Sequence, residues 1–361
     1  MSHLLVSSLV VAACVMSVAP RSAARDMPPW QHSQGTLIAE GSSELAPGHR
    51  PAGTWEGVAQ IPYRVQEVYP AAHKGQLWLA GGLSPDVPMA AQSISDQTWV
   101  YDPEQDRWAP GPALPEPRHH LYLVSTGDRL YAFGGFIAGG SRRWHASRDV
   151  LLLDEGAERW RKVASLLHPQ SETVAAWLDG KVYLATGRRP TGERNTEWRD
   201  QGDISLMQVF DPDDHSVTIG PPAPTARNSA AGAVIGGRLY VVGGRVVDDG
   251  NRASNEVFNP TTGAWKTLSP MPTAQGGIAA AALGGRLYVF GGEYFDDGGG
   301  VHRESWVYDP AADRWAPIPP MPVARHGLGA VTLKGAIYVV AGATQVGGAG
   351  TSDRLSRFTP K

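Results

Sequence analysis

Glutamates, histidines and arginines recur at one kind of place in this chain, just after a short run that ends in proline. The groups are Arg64, Gln66 and Glu67; Arg118, His119 and His120; Gln170, Ser171 and Glu172; Arg227 and Asn228; Gln275; and Arg325 with His326. Guanidinium groups grip carboxylates and sugar hydroxyls through charge-assisted, often bidentate hydrogen bonds. Glu67, Glu172 and His120 are of the types that move protons in general acid–base work. An arginine in such a cluster serves equally well in an ion pair that ties a fold together. The two glutamates are the less expected residues at this position, which makes them the better functional candidates.

A second group stands in the long polar segment from Arg188 to about Ser205, which carries Glu193, Glu197, Trp198, Arg199 and Asp200. A tryptophan flanked by charges offers a stacking platform for a sugar ring or a peptide side chain. Arg143, Trp144 and His145 form a lesser group of this kind, as do Tyr294, His302 and Arg303. Metal chemistry is not expected. In an extended chain the adjacent side chains of His119 and His120 diverge and make poor joint ligands. Asp248-Asp249 and Asp296-Asp297 lack the alternating oxygen ligands of a calcium loop and read as turns. No nucleophile elbow, phosphate-binding loop or HExxH stands in the sequence, so neither a metal nor another cofactor is expected.

The chain supplies a scaffold for these residues by repetition. An apolar strand ending in a glycine pair, or a degenerate form of one, occurs six times: QLWLAGG, RLYAFGG, KVYLATG, RLYVVGG, RLYVFGG and AIYVVAG. Gly82 and Gly342 lie 260 residues apart, so five intervals average 52. A second element follows as WVYDP (99–103), VFDP (209–212), VFNP (257–260) and WVYDP (306–310), with LLLDE (151–155) a weaker copy. The third starts at tryptophan and reaches proline seven residues on, as Trp108 to Pro115, Trp265 to Pro272 and Trp315 to Pro322. Thr218 stands where the third copy's tryptophan is expected.

Glycine pair, then Tyr/Phe-Asp-Pro, then tryptophan, in fixed order over residues 54 to 360, resembles the kelch repeat. The resemblance implies an all-β fold, a six-bladed kelch β-propeller over residues 53–361, each blade a twisted four-stranded antiparallel sheet. Small residues such as Ala230 to Ala233 and Ala279 to Ala282 suit the crowded inner strands. Trp78, Tyr131, Tyr183, Tyr240, Tyr288 and Tyr338, just before the glycine pairs, would fill the wider space between blades. The last copy stops at RFTP (357–360) without an outer strand, and Trp55 to Pro62 repeats the seven-residue spacing. The N-terminal segment is therefore expected to complete the sixth blade, since an open ring would leave two unpaired edges. In kelch propellers the turns named first surround the mouth of a central channel. By that resemblance Arg64, Arg118, His119, His120, Arg227, Asn228, Arg325 and His326 would converge as ligand-binding residues.

Leu4 to Val18 is an apolar run followed by small residues and Arg21, which reads as a signal peptide over residues 1–24. An alternative is a lipoprotein signal ending before Cys14, in the sequence Val11-Ala12-Ala13-Cys14, with a lipid anchor on that cysteine. Residues 25–52 show no periodicity and read as a linker. Cys14 is the one cysteine in 361 residues, so the folded part is expected to hold no disulfide and no catalytic thiol. A formal net charge of -3, with no block of like charge, argues against a nucleic-acid partner.

The galactose oxidase propeller is a kelch relative, but its copper chemistry needs a cysteine cross-linked to tyrosine, and this propeller has none. Kelch ubiquitin-ligase adaptors carry a separate oligomerisation domain for which no segment is expected here. The favoured expectation is an exported, periplasmic or extracellular, monomeric binding module for a glycan or protein ligand on the loop face. The alternative resembles the periplasmic sialic acid mutarotase: Glu172, Glu67 or His120 would shuttle a proton while Arg118 held a carboxylate.

Overall fold

The strand before each glycine pair is apolar throughout because neighbouring sheets cover both of its faces. Leu239, Tyr240, Val241 and Val242 are all buried. Lys74-Gly75, Asp179-Gly180, Gly236-Gly237, Gly284-Gly285 and Lys334-Gly335 join such strands to the inner strands. Both residues of each pair have positive φ, the hairpin geometry that matches the right-handed twist of the strands it connects. In the computed structural model, which describes residues 53–88, 93–139, 143–154, 156 and 158–361, these hairpins grow into six four-stranded antiparallel sheets. The first runs Ala71–His73, Gln76–Ala80, Thr98–Asp102 and Arg107–Gly111. Helical structure among the described residues is confined to two 3-10 turns, Trp198–Asp200 and Asp296–Gly298. The expected signal and linker segments, with Cys14, lie outside the described residues.

The sixth sheet takes strands from both ends of the described chain. Gly53–Gly57 pairs antiparallel with Leu355–Pro360, setting Trp55 opposite Phe358. The Trp55 ring lies 4.9 Å from that of Phe358 and 5.6 Å from that of Phe290. Its indole N–H donates to the carbonyl of Pro319 in the fifth sheet at 2.9 Å. Trp108, Trp160, Trp265 and Trp315 make the same kind of bond, to Ala59, Pro112, Pro221 and Ser269. Thr218 cannot make it. Each hydrophobic core is shared by two adjacent sheets, as where Tyr101 and Trp108 of the first pack with Tyr338 and Val340 of the sixth.

Backbone bonds also tie sheet to sheet around the axis. The N–H groups of Gly82, Gly135, Gly187, Gly244, Gly292 and Gly342 each donate to a carbonyl in the turn of the next sheet. The acceptors are Arg118, Gln170, Arg227, Gln275, Arg325 and, joining the sixth sheet to the first, Val65, at 2.7 to 3.2 Å. This second member of the pair has to be glycine: a Cβ on Gly244 would sit 2.6 Å from the carbonyl oxygen of Asn228. The first member is more tolerant, and Thr186 and Ala341 hold φ of 62° there.

Candidate functional site at the channel mouth

The turn before each inner strand sends three successive side chains in three directions, because its third residue has positive φ. Those third residues are Glu67, His120, Glu172, Ser229, Gly277 and Gly327, with φ between 49° and 69°. The first residue points into its own sheet. Arg118 donates to the Gly134 carbonyl at 3.2 Å, Gln170 to Thr186 at 2.7 Å, Gln275 to Gly291 at 2.8 Å and Arg325 to Ala341 at 2.7 Å. Arg227 pairs with buried Glu256 at 2.7 Å and donates to the Val241 carbonyl at 3.1 Å. Arg118, Arg227 and Arg325 therefore do not converge on the mouth as expected; their guanidinium groups are engaged inside the blades. Burial, with the repulsion of Arg354, pushes the Arg325 guanidinium down to about 9. Arg64 also lies outside the mouth. Its turn starts one residue later, at Val65, and Arg64 pairs with Asp86 on the exposed surface.

The third residues form the mouth. Five backbone bonds link them in succession: His120 N–H to Glu67, Glu67 to Gly327, Gly327 to Gly277, Gly277 to Ser229, and Ser229 to Glu172. The residue after each glycine pair bridges to the middle residue of the turn, and in three consecutive sheets it is charged: Arg188, Arg245 and Glu293. In the other three it is Ala343, Leu83 or Phe136. The charged half builds one network. Arg245 meets Glu293 at 2.5 Å, Ser229 at 3.3 Å and Asn228 at 3.3 Å. Ser229 donates to Glu172 at 2.9 Å. His326 stands 3.3 Å from Glu293 and 3.9 Å from Glu67, and Glu67 meets His120 at 2.9 Å. Glu67, His119, His120, Glu172, Asn228, His326 and Trp198 are thus the expected residues that do come together.

The adjacent histidines converge rather than diverge. His120 is left-handed, not extended, so its ring turns toward His119 and their Nδ1 atoms lie 2.5 Å apart. Burial alone would lower the His120 imidazole, but the charge of Glu67 and its hydrogen bond hold it above the ordinary value. Burial and the neighbouring His120 charge push His119 well down. When protonated, His120 can donate through Nε2 to Glu67 and through Nδ1 to His119. Burial likewise opposes ionisation of Glu67, yet His120, His326 and Arg245 together hold its carboxyl below the usual range. Among the described residues no group of three or more His, Cys, Asp or Glu is arranged to hold a metal ion.

Trp198 is positioned by a ribbon rather than by a long loop. The strands Lys181–Pro190 and Gln201–Phe210 continue past the glycine position, with Arg188 opposite Asp203, so the connection shortens to 191–200. Asn195 at its tip exchanges hydrogen bonds of 2.8 and 2.9 Å with the backbone of Ala146, and Asp200 accepts from Thr196 and Glu197. Trp198 then donates to Glu172 at 3.2 Å while the Arg188 guanidinium lies 3.6 Å from its ring centroid. Arg199, by contrast, is exposed on the outer surface of that tip. A cavity lies beside Trp198, with Arg245, Asn251 and Phe295 among its lining residues. Sequence reasoning missed Arg188, Arg245, Glu293, Asp203 and Phe295. The signal for the first three was their shared position, one residue after the glycine pair.

Sheets of this order around a polar channel mouth define a kelch-type β-propeller. The profile of the KLHDC2/KLHL20/DRC7 Kelch-repeats domain matches residues 175–359, and the chain belongs to that kelch-repeat family. Kelch-like protein 34 of Homo sapiens is 28% identical over 200 residues, covering 53% of this chain and 29% of the relative. Kelch-like protein terF of Aspergillus terreus is 27% identical over 228 residues, covering 60% of this chain and 48% of its own length. The chain thus spans less than half of either relative. Among solved structures, "Structure of YjhT" matches with a TM-score of 0.69 at 15% identity, covering 82% of this chain and 95% of that one. That likeness concerns the fold.

Proposed function

We propose that this chain is an exported interaction module that holds a protein or carbohydrate partner on its loop face, over the mouth of the channel. The observation that carries this is the asymmetry of the mouth. Charged post-glycine residues and the Trp198 ribbon occupy adjacent sheets, while the corresponding positions of the remaining sheets are apolar. Function on repeat scaffolds resides in such loop-borne differences. Export rests on the Leu4 to Val18 run; N-terminal sequencing of the chain recovered outside the cytoplasm should begin at Arg25, or yield a lipidated Cys14. Binding is tested with glycan and peptide arrays probed by wild type and Trp198→Ala. Specific hits that vanish in the variant support the reading, and hits that persist unchanged remove it.

A second reading draws on the pair of half-buried Glu67 and buried His120, 2.9 Å apart at the same mouth, which could move a proton in anomer exchange of a sugar. Arg118, engaged with Asp149 inside the second sheet, is withdrawn from the carboxylate-holding role. Exchange followed by NMR for sialic acid and common hexoses tests this reading, and no acceleration for any sugar would eliminate it.

A further inference from the structure

Five of the six junctions between neighbouring sheets are closed on the outer rim by the same tryptophan. Trp55, Trp108, Trp160, Trp265 and Trp315 stand opposite Phe358, Tyr101, Leu153, Phe258 and Tyr308 in their sheets. Each indole donates, at 2.9 to 3.1 Å, to the carbonyl four residues beyond the corresponding position of the preceding sheet. The third sheet breaks the pattern. Its register sets Val217 opposite Phe210, one residue before the Thr218 expected from the sequence. The acceptor that an indole there would reach is the carbonyl of Ala164, four residues beyond Trp160. With valine in place, that carbonyl receives no indole. His215 lies over the Phe210 ring at 5.9 Å and takes over only the stacking.

The surface around this gap is apolar on both sides. Val163, Ala164 and Val217 are half-buried and pack on the core shared by the second and third sheets. Of the three large hydrophobic side chains exposed among the described residues, two stand here. Ile219, 52% exposed, shares a strand face with Val217, and Leu167, 45% exposed, stands where the other five sheets have proline. Gln208, the cross-strand partner of Ile219, exchanges hydrogen bonds of 3.0 Å with the backbone of His168, so Ile219 and Leu167 flank one gap. Single exposed hydrophobics are ordinary, but two meet at the one junction that lacks its tryptophan. Tryptophan suits a place with apolar walls and one acceptor, because it joins a large ring to a single N–H. We infer that the rim between the second and third sheets is a docking site for a tryptophan side chain presented by a protein partner. Its indole N–H would meet the Ala164 carbonyl and its ring would lie against Val163, Val217, Ile219 and Leu167. This surface is separate from the channel mouth, and the inference does not rest on the mouth's role.

The test uses the full chain on arrays of peptides of one length whose central residue is tryptophan, tryptophan methylated on the indole nitrogen, leucine or serine. Tryptophan-centred peptides should be retained best, roughly fivefold over the methylated counterparts that lack the N–H. Val217→Trp, which fills the place from within, should abolish that preference. The double variant Leu167→Ser, Ile219→Ser, altered only at exposed side chains, should bring it toward one, and Trp198→Ala should leave it intact. Equal retention of the tryptophan and methylated peptides, or a preference unchanged in the double variant, overturns the inference. So does a preference seen only after residues 1–50 are removed, which would make the chain's own Trp30 the occupant. Self-association in sedimentation that the double variant abolishes would assign the patch to a second copy and overturn it as well.

Discussion

The residues that open each turn and those that follow each glycine pair lie close together in every sheet, yet they are used differently. The opening residues, among them Arg118, Gln170, Arg227, Gln275 and Arg325, reach inward to backbone carbonyls of their own sheets. The residues after the glycines change character from sheet to sheet, charged at Arg188, Arg245 and Glu293 and apolar at Leu83, Phe136 and Ala343. The first set repeats because five of the six sheets use the same bracket, with Val65 in its place in the first. The second varies because only part of the mouth carries a site. Charge alone therefore does not mark function in this ring; departure from the repeat at a mouth-facing position does.

The largest expected effect falls on the scaffold that both sets share. Removing residues 1–63 takes away Trp55 and the strand paired with Leu355–Pro360, exposing a sheet edge and the Phe358 ring, and should yield insoluble protein. Removing residues 1–50 should leave a soluble one, and equal solubility of the two would break the account of the sixth sheet. Next in size is Arg227→Met, which leaves Glu256 buried without its partner and should cost about 3–5 kcal/mol in chemical denaturation. Binding per folded molecule should be retained, whereas Arg245→Met, which leaves Glu293 buried without its guanidinium, should cost a comparable amount in stability and abolish binding. The opposite pattern would reverse the assignment of the two sets.

Acid–base linkage sharpens the comparison within the mouth. Glu67 ionises more readily when folded, so its contribution holds above the ordinary value of 4.5 and is lost as acid protonates it. His120 holds its proton more tightly when folded, so its contribution is full below the ordinary value of 6.5 and fades as pH climbs through the raised one. Glu67→Gln should therefore destabilise most between about pH 5 and 6.5, by about 2–3 kcal/mol for a charged buried hydrogen bond. The difference in unfolding temperature from wild type should narrow toward higher pH; a flat difference would separate the two groups. The smallest expected effect is a gain. Thr186→Gly relieves a left-handed threonine and should stabilise by about 1 kcal/mol, with binding unchanged.

Much of the scaffold was legible because its signals are local. Glycine pairs, apolar strands and the spacing from tryptophan to proline each reflect contacts repeated in every sheet, so six imperfect copies reinforce one another. Trp55 could be placed by the same spacing although its strand partner, Leu355–Pro360, lies some 300 residues away. The site was legible only in part. Glu67, Glu172, His120 and Trp198 stood out by residue type, but their partners Arg188, Arg245 and Glu293 looked like the start of ordinary polar loops. The directions of side chains were hidden as well. A single left-handed residue turns His120 toward His119, and a one-residue offset sends Arg64 to the surface where Arg118 is buried.

The central claim is that the partner is held over the mouth beside Trp198 and not by the repeated arginines. A crystal structure of the chain with its tightest array hit tests this most directly. The account predicts density for the bound molecule over the mouth beside Trp198, with Arg118, Arg227 and Arg325 still bonded within their sheets. Density on the opposite face of the ring, or against those three arginines displaced from their carbonyls, would contradict it.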